Sequence, residues 1–146
     1  GYEAPVYIAW ARKNRSALIR VPLYKPGKEK ATRVELRSPD PACNPYLAFA
    51  CMLGAGLKGI KEGYELPAPI EKNIYALTER ERQELGIDSL PGSLAEAIEY
   101  AKKSELLREV LGEHVYNELL ALKKAEWDEY RIQVTEYELK KYLPIL

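Results

Sequence analysis

The sequence predicts an α+β fold, with a small antiparallel sheet at the N-terminus followed by a mostly helical C-terminal region. Three observations carry this expectation. Residues 1–40 alternate apolar with polar or charged side chains at period two. Beyond Asn44 the apolar residues follow a helical pattern instead. Motifs of the Ser/Thr-x-x-Glu type, which close the first turn of a helix, then begin at Thr78, Ser93 and Thr135.

Taken in order, Val6–Trp10 is apolar, β-branched and aromatic, and reads as a strand. Ser16–Leu23 alternates, with Ala17, Ile19 and Val21 opposed to Ser16, Leu18 and Arg20. Lys25-Pro26-Gly27-Lys28 is a turn by composition. Thr32–Arg37 opposes Val34 and Leu36 to Arg33, Glu35 and Arg37, giving a sheet with one apolar and one charged face. Tyr46–Leu57 is apolar all round, the pattern of a helix buried on every side, and its small residues would allow close packing. A short helix opens at Thr78 and stops at Gly86, and another opens at Ser93. His114–Val134 is amphipathic, and Thr135 caps a last short helix. Pro67–Pro69 and Pro91-Gly92 read as loops rather than linkers, so 146 residues are expected to form one domain portion. Its residues 1–40 are the strand-rich segment and 41–146 the helical one.

Composition narrows the function. The 22 basic and 22 acidic side chains cancel, which argues against a nucleic-acid or anionic-membrane binder. The longest apolar run, Tyr46–Leu57, is too short to span a bilayer, and no signal peptide is recognisable. Cys43 and Cys51 have no pairing pattern and read as packing thiols, consistent with a cytoplasmic setting. The charge is unevenly spread, however. Residues 1–40 hold nine cations against four acids, a net +5, and the remainder carries −5. A cationic cluster in a neutral chain suits a small bound anion.

Arg33, Glu35 and Arg37 fall at i, i+2 and i+4, which places them on one face of a strand. Lys30 precedes them, Arg20 comes from another strand, and Arg15 stands at that strand's entrance. Arginine forks bind phosphate or carboxylate oxygens in pairs, and a carboxylate holds Mg²⁺ through oxygen. A solvated face of alternating charges has the same spacing, so spacing alone does not decide between the two.

The literal residues add more. Gly1-Tyr2-Glu3-Ala4-Pro5-Val6, Asn14-Arg15-Ser16-Ala17, Lys30-x-x-Arg33-x-Glu35-x-Arg37 and Pro39-Asp40-Pro41-Ala42-x-Asn44-Pro45-Tyr46-Leu47 resemble glutamine synthetase of type I, in the C-terminal part of its catalytic domain. The resemblance continues through Leu111-Gly112-Glu113-His114 and Glu126-Trp127-Asp128-x-Tyr130-Arg131. It implies ATP-dependent ligation of ammonium to L-glutamate through a γ-glutamyl phosphate, with Mg²⁺ or Mn²⁺. By the same resemblance Glu3 matches a flap glutamate that shields the intermediate, and Arg15 an arginine touching both ATP and glutamate. Arg20, Lys30 and Arg33 match nucleotide ligands, Glu35 a metal-binding carboxylate, and Arg37 an arginine facing glutamate and the transferred phosphoryl group. Glu3, Arg15 and Arg37 are therefore the expected catalytic residues.

The resemblance also implies a piece of a longer chain, inactive alone, because the family's other metal ligands and its N-terminal domain precede the flap. It implies a dodecamer whose neighbouring subunits complete the site. The aromatic and apolar stretch from Trp127 to Leu146 is expected to meet the facing ring or a regulatory protein. Tyr75 aligns with a tyrosine that is adenylylated in some relatives, but Ala76-Leu77-Thr78-Glu79 departs from their pattern, so Tyr75 reads as an ordinary loop residue. His114 reads as structural, near a helix start. Two other functions compete: a related ligase using a different amine, and a non-catalytic module that binds a synthetase ring or regulator.

Overall fold

A computed structural model of the chain describes residues 4–146, and Glu3 lies outside the described residues. They form two compact units that divide between Leu90 and Pro91.

The first unit holds five two-residue strands: β1 (Tyr7–Ile8), β2 (Trp10–Ala11), β3 (Ile19–Arg20), β4 (Glu35–Leu36) and β5 (Asp88–Ser89). β1 pairs antiparallel with β5, while β2, β3 and β4 form a three-stranded sheet in that order. The β3–β4 ladder is antiparallel and sets Arg20 opposite Glu35. The β2–β3 ladder is parallel, pairing Trp10 with Ile19, so the chain re-enters the sheet in the same direction through the turn at 12–18. That turn carries Arg12, Lys13 and Arg15. A small core of Ala11, Ala17, Ile74 and Ile87 lies beneath it, with Tyr7, Ala9, Ile70 and Leu77 packed around. The turn at Lys25–Lys28 forms as its composition predicts, with the Lys28 N–H donating to the Lys25 carbonyl (3.0 Å) and Gly27 at φ +76°.

Helix α1 runs Pro45–Glu62. Asn44 Oδ1 accepts from the N–H groups of Tyr46 (3.0 Å) and Leu47 (3.3 Å), Pro45 occupies the first turn, and Gly63 closes the helix in the left-handed conformation. The helix is as expected, but its burial is not. No residue of α1 is buried, and Tyr46, Phe49, Leu53, Leu57 and Ile60 are all exposed. Leu47, Ala48, Ala50 and Cys51 are half-buried, but the described residues leave its other large apolar side chains open. Helix α2 (Glu79–Glu84) begins with the predicted capping box, in which the Glu81 carboxylate accepts from the backbone N–H and hydroxyl of Thr78, each at 2.7 Å. Gly86 follows at φ +66°.

The second unit contains α3 (Leu94–Lys103), α4 (Glu105–Tyr130) and α5 (Glu136–Tyr142). Ser93 and Thr135 open α3 and α5 as their motifs predict. Helix α4 breaks its direction at Gly112, whose φ of 72° and ψ of 157° are open essentially to glycine alone. His114 follows that break and is exposed. Tyr116 is buried, and its hydroxyl donates to the carbonyls of Ala101 (3.3 Å) and Lys102 (3.1 Å), which ties α4 to the end of α3. Four strands precede the helices as expected, but the fifth, β5, follows α2 and returns to pair with β1, so residues 41–146 are mostly rather than wholly helical. Among the described residues no helix is long and apolar enough to cross a membrane.

Candidate functional site

The parallel return of β2 to β3 and the turn at Gly27 bring the cations of the first unit together. A cleft of about 480 Å³ is lined by Arg12, Lys13, Arg15, Arg20, Lys25, Lys28 and Arg33, with Pro22, Leu23, Tyr24, Ala31 and Thr32 between them. Among the described residues, seven cations and no carboxylate line this volume. Such a wall attracts a compact polyanion far more strongly than an isolated surface lysine does, because the summed field is focused in a concave space.

One carboxylate orders its base. Arg20 donates to Glu35 from Nε (2.7 Å, to Oε2) and from Nη2 (2.9 Å, to Oε1), a paired cross-strand bond set by the β3–β4 register. Arg33 Nε donates to Glu35 Oε1 at 2.9 Å, and its Nη1 reaches the Ala31 carbonyl at 3.0 Å. The Arg20 and Glu35 side chains are 26% exposed and Arg33 is 55% exposed, so the outermost guanidinium keeps free edges toward solvent. The Arg33 guanidinium, and Arg20 after it, hold the Glu35 carboxyl below the usual carboxylate range.

The sign of that shift fixes a pH dependence. A carboxyl whose folded value is depressed stabilises the fold fully above its unfolded value, about 4.3, and loses that contribution as pH falls through the folded value. The melting temperature of the native chain minus that of Glu35→Gln is therefore expected to be constant from neutral pH down to about pH 5. It should shrink toward zero below about pH 4, and also in high salt, because the group is solvent-accessible.

A second cleft of about 360 Å³ is lined by Pro5, Asn14, Arg15, Ser16, Arg37, Asn73 and Tyr75. Arg15 lines both clefts. Arg37 Nη1 donates to the Arg15 carbonyl, and the Arg37 backbone N–H donates to the Leu18 carbonyl at 3.0 Å. Tyr75 lies in a helical turn at Ile74–Ala76 and donates its hydroxyl to the Ala4 carbonyl at 3.2 Å.

The structure thus brings Arg20, Arg33 and Glu35 together, gathers Arg15 and Arg37 at the second cleft, and joins the two clefts through Arg15. The spacing predicts Arg33, Glu35 and Arg37 on one strand, but β4 covers only Glu35–Leu36, so Arg33 and Arg37 flank it, and Arg37 lines the second cleft rather than the first. Lys30 lies on the exposed turn Glu29–Ala31 and does not line the cleft. Sequence reasoning counted Arg12, Lys13, Lys25 and Lys28 as charge without giving them a place. Their only signal was the excess of cations before residue 40.

A divalent cation takes about six oxygens. Glu35 offers two, and both face guanidinium groups. Among the described residues no three His, Cys, Asp or Glu side chains come together. These residues do not by themselves make a site for Mg²⁺ or Mn²⁺, whereas the cationic cleft has the right chemistry for the phosphates of a nucleotide.

The family model described as "Glutamine synthetase, catalytic domain" matches residues 1–142. The chain is 57% identical over 143 residues to a glutamine synthetase of Clostridium saccharobutylicum, covering 98% of this chain and 32% of that protein. To a glutamine synthetase of Methanocaldococcus jannaschii it is 54% identical over 143 residues, covering 98% and 31%. Among solved structures, one described as a GmaS/ADP complex superposes with a TM-score of 0.81 at 32% identity, covering 97% of this chain and 30% of that one. The chain spans about a third of the length of the curated relatives it matches.

Proposed function

Because the chain belongs to the glutamine synthetase catalytic-domain family, we propose that it supplies the nucleotide cleft and part of the glutamate site of an ATP-dependent glutamate–ammonia ligase. The observation that carries this reading is the wall of seven cations, with no carboxylate among the described lining residues, around a cleft of about 480 Å³ that shares Arg15 with a second cleft also holding Arg37. The structural relative solved with ADP supports a nucleotide as the occupant of the first.

In this reading ATP lies with its phosphates among Arg15, Arg20 and Arg33, with Lys25 and Lys28 across the cleft and Lys30 on the turn beside it. A glutamate γ-carboxylate oxygen attacks the γ-phosphorus, the bond to ADP breaks, and the γ-glutamyl phosphate forms. Ammonium gives up a proton, for which Glu3 is the acceptor in this reading. Ammonia then attacks the acyl carbon and the acyl–phosphate bond breaks. Phosphate leaves with the proton that the nitrogen sheds, and glutamine results. The charge carried by a phosphoryl group in transfer spreads over its outer oxygens, and fixed guanidinium groups stabilise it without reorganising. Arg15 stands where the two reactants must meet, with Arg37 bonded to its backbone. Glu3 at the flap would shield the acyl phosphate from water. Glu35 holds Arg20 and Arg33 in place; as a metal ligand it has no cluster of further carboxylates among the described residues. We further place the reaction in the cytoplasm, in an oligomer whose other segments complete the site, with the 146-residue chain inactive alone and its C-terminal segment open to a ring or regulatory contact.

A segment exchange tests this. In the Clostridium saccharobutylicum relative, the aligned 143 residues are replaced by those of this chain, and amide formation is assayed with ammonium, methylamine and a polyamine. Glutamine formation from ammonium at a rate near the parent's is the expected result. A chimera that assembles but turns over none of the amines would overturn the catalytic reading and favour the binding-module one. Preference for an organic amine would favour the related ligase.

A further inference from the structure

Arg12 and Lys13, which line the first cleft, and Arg15, which lines both, sit on a segment with little regular structure. Residues 12–18 connect β2 to β3, and Arg12, Lys13 and Arg15 repel one another across it. Something must hold it. A strip almost sixty residues later in the sequence does so through hydrogen bonds to one short stretch. The Glu71 carboxylate accepts from two successive backbone N–H groups, Arg12 through Oε1 (2.8 Å) and Lys13 through Oε2 (3.2 Å). Asn14 Nδ2 donates to the carbonyls of Ile70 (2.8 Å) and Lys72 on either side of Glu71. Asn14 Oδ1 accepts from the backbone N–H (2.9 Å) and hydroxyl (2.6 Å) of Ser16, and Ser16 Oγ in turn accepts from the Ile74 N–H at 3.0 Å. Every polar atom of the Asn14 amide is used, and residues 12, 13, 14 and 16 are each pinned while Arg15 is left to project.

We propose that Glu71 and Asn14 are positioning residues for the phosphoryl-transfer site, fixing the backbone from which Arg12, Lys13 and Arg15 reach the two clefts. The inference rests on the function proposed above and goes beyond it, since neither residue belongs to the cationic wall. Glu71 supplies more than two acceptors. Its negative charge sits on the backbone of the cationic turn and it does not line the cleft, so it offsets the repulsion there without being part of the anion-facing wall. The backbone N–H of Arg12 holds its carboxyl below the usual carboxylate range, with smaller contributions from Lys13 and Asn14, so it is ionised at neutral pH. Neutral glutamine at this position would present one acceptor and one donor to two N–H groups, forcing one of them away. Aspartate at position 14 would keep the Ser16 bonds but set a carboxylate against two carbonyls.

The test uses the full-length synthetase carrying this segment, with Glu71→Gln, Glu71→Asp, Asn14→Asp and Arg15→Ala. Steady-state constants for ATP and glutamate are read beside melting temperature. Displacing reacting groups by about an ångström costs on the order of a hundredfold. Glu71→Gln and Asn14→Asp are accordingly expected to lower kcat/KM for ATP by about ten- to a hundredfold in enzyme that is fully folded at the assay temperature. Glu71→Asp, which keeps the charge and both acceptors, should recover part of that loss. Unchanged kinetic constants in Glu71→Gln overturn the proposal. So does a fall in melting temperature with the folded fraction fully active, or failure of both Glu71→Gln and Asn14→Asp to fold, since each assigns these residues to stability alone. Arg15→Ala separates the two layers. If it leaves activity intact, the site itself is wrong; if it abolishes activity while Glu71→Gln does not, only the positioning role falls.

Discussion

Replacing Glu35 by alanine in a full-length synthetase carrying this segment is expected to lower kcat/KM for ATP by about 10²- to 10³-fold while the protein stays folded. Glu35 accepts three guanidinium N–H bonds, two from Arg20 and one from Arg33. Without it two cations of like charge remain at the base of a cleft already lined by five others, and nothing sets their planes. They would splay toward water, and a phosphate arriving there would meet mobile charges rather than an ordered pair. The effect on folding should be smaller, because the pair is a quarter exposed and such bonds contribute little to stability. The measurement is kinetic constants against melting temperature in one preparation. Normal activity would end the assignment of this cluster to the nucleotide site, and a loss of activity that merely follows unfolding would reduce Glu35 to a structural residue.

Arg37→Lys should be almost as damaging, with kcat lowered about 100-fold. Arg37 spends one nitrogen on the Arg15 carbonyl and borders the second cleft beside the Arg15 side chain. A guanidinium can do both at once because its donors lie in a plane and point in several directions. A lysine ammonium is a single point: it can reach the carbonyl or the cleft. The loss should be accompanied by a raised KM for glutamate and a smaller change in the KM for ATP, since Arg37 does not line the first cleft. Equal effects on both substrates would place Arg37 in general scaffolding, and a fully active lysine variant would show that charge alone suffices there.

Much of this was legible in the residues. Capping motifs mark helix starts by local chemistry, and Thr78, Ser93 and Thr135 each open a helix where their motifs predict. Arg20 and Glu35 could be suspected as partners because both lie on strands with a charged face, and the β3–β4 register makes them neighbours. What could not be read depends on the path of the chain. Lys25 and Lys28 enter the cleft while Lys30 does not, a distinction made by the turn at Gly27 and the helical turn after it. The parallel β2–β3 ladder was hidden because strands this short leave no pattern of direction. Glu71 had no signal at all: it is an exposed acid in a loop, and its partners are backbone N–H groups, which are the same in every sequence. Helix α1 shows the opposite failure. Its hydropathy predicts burial that the described residues do not provide, because hydropathy records a preference and not which residues are there to satisfy it.

An arginine bordering two clefts also makes their occupancies a single thermodynamic problem. Whatever anion engages Arg15 from the first cleft changes the charge and the orientation that remain for the second. By linkage, the factor by which the one ligand alters the other's affinity is the same in both directions. If the two anions compete for the guanidinium, each weakens the other; if the first fixes it in a pose the second can use, each strengthens the other. Order of addition cannot change that factor, only the route by which it is reached. The shared side chain therefore acts as a coupling constant written into the fold, and its sign is a property of how firmly the turn beneath Arg15 is held.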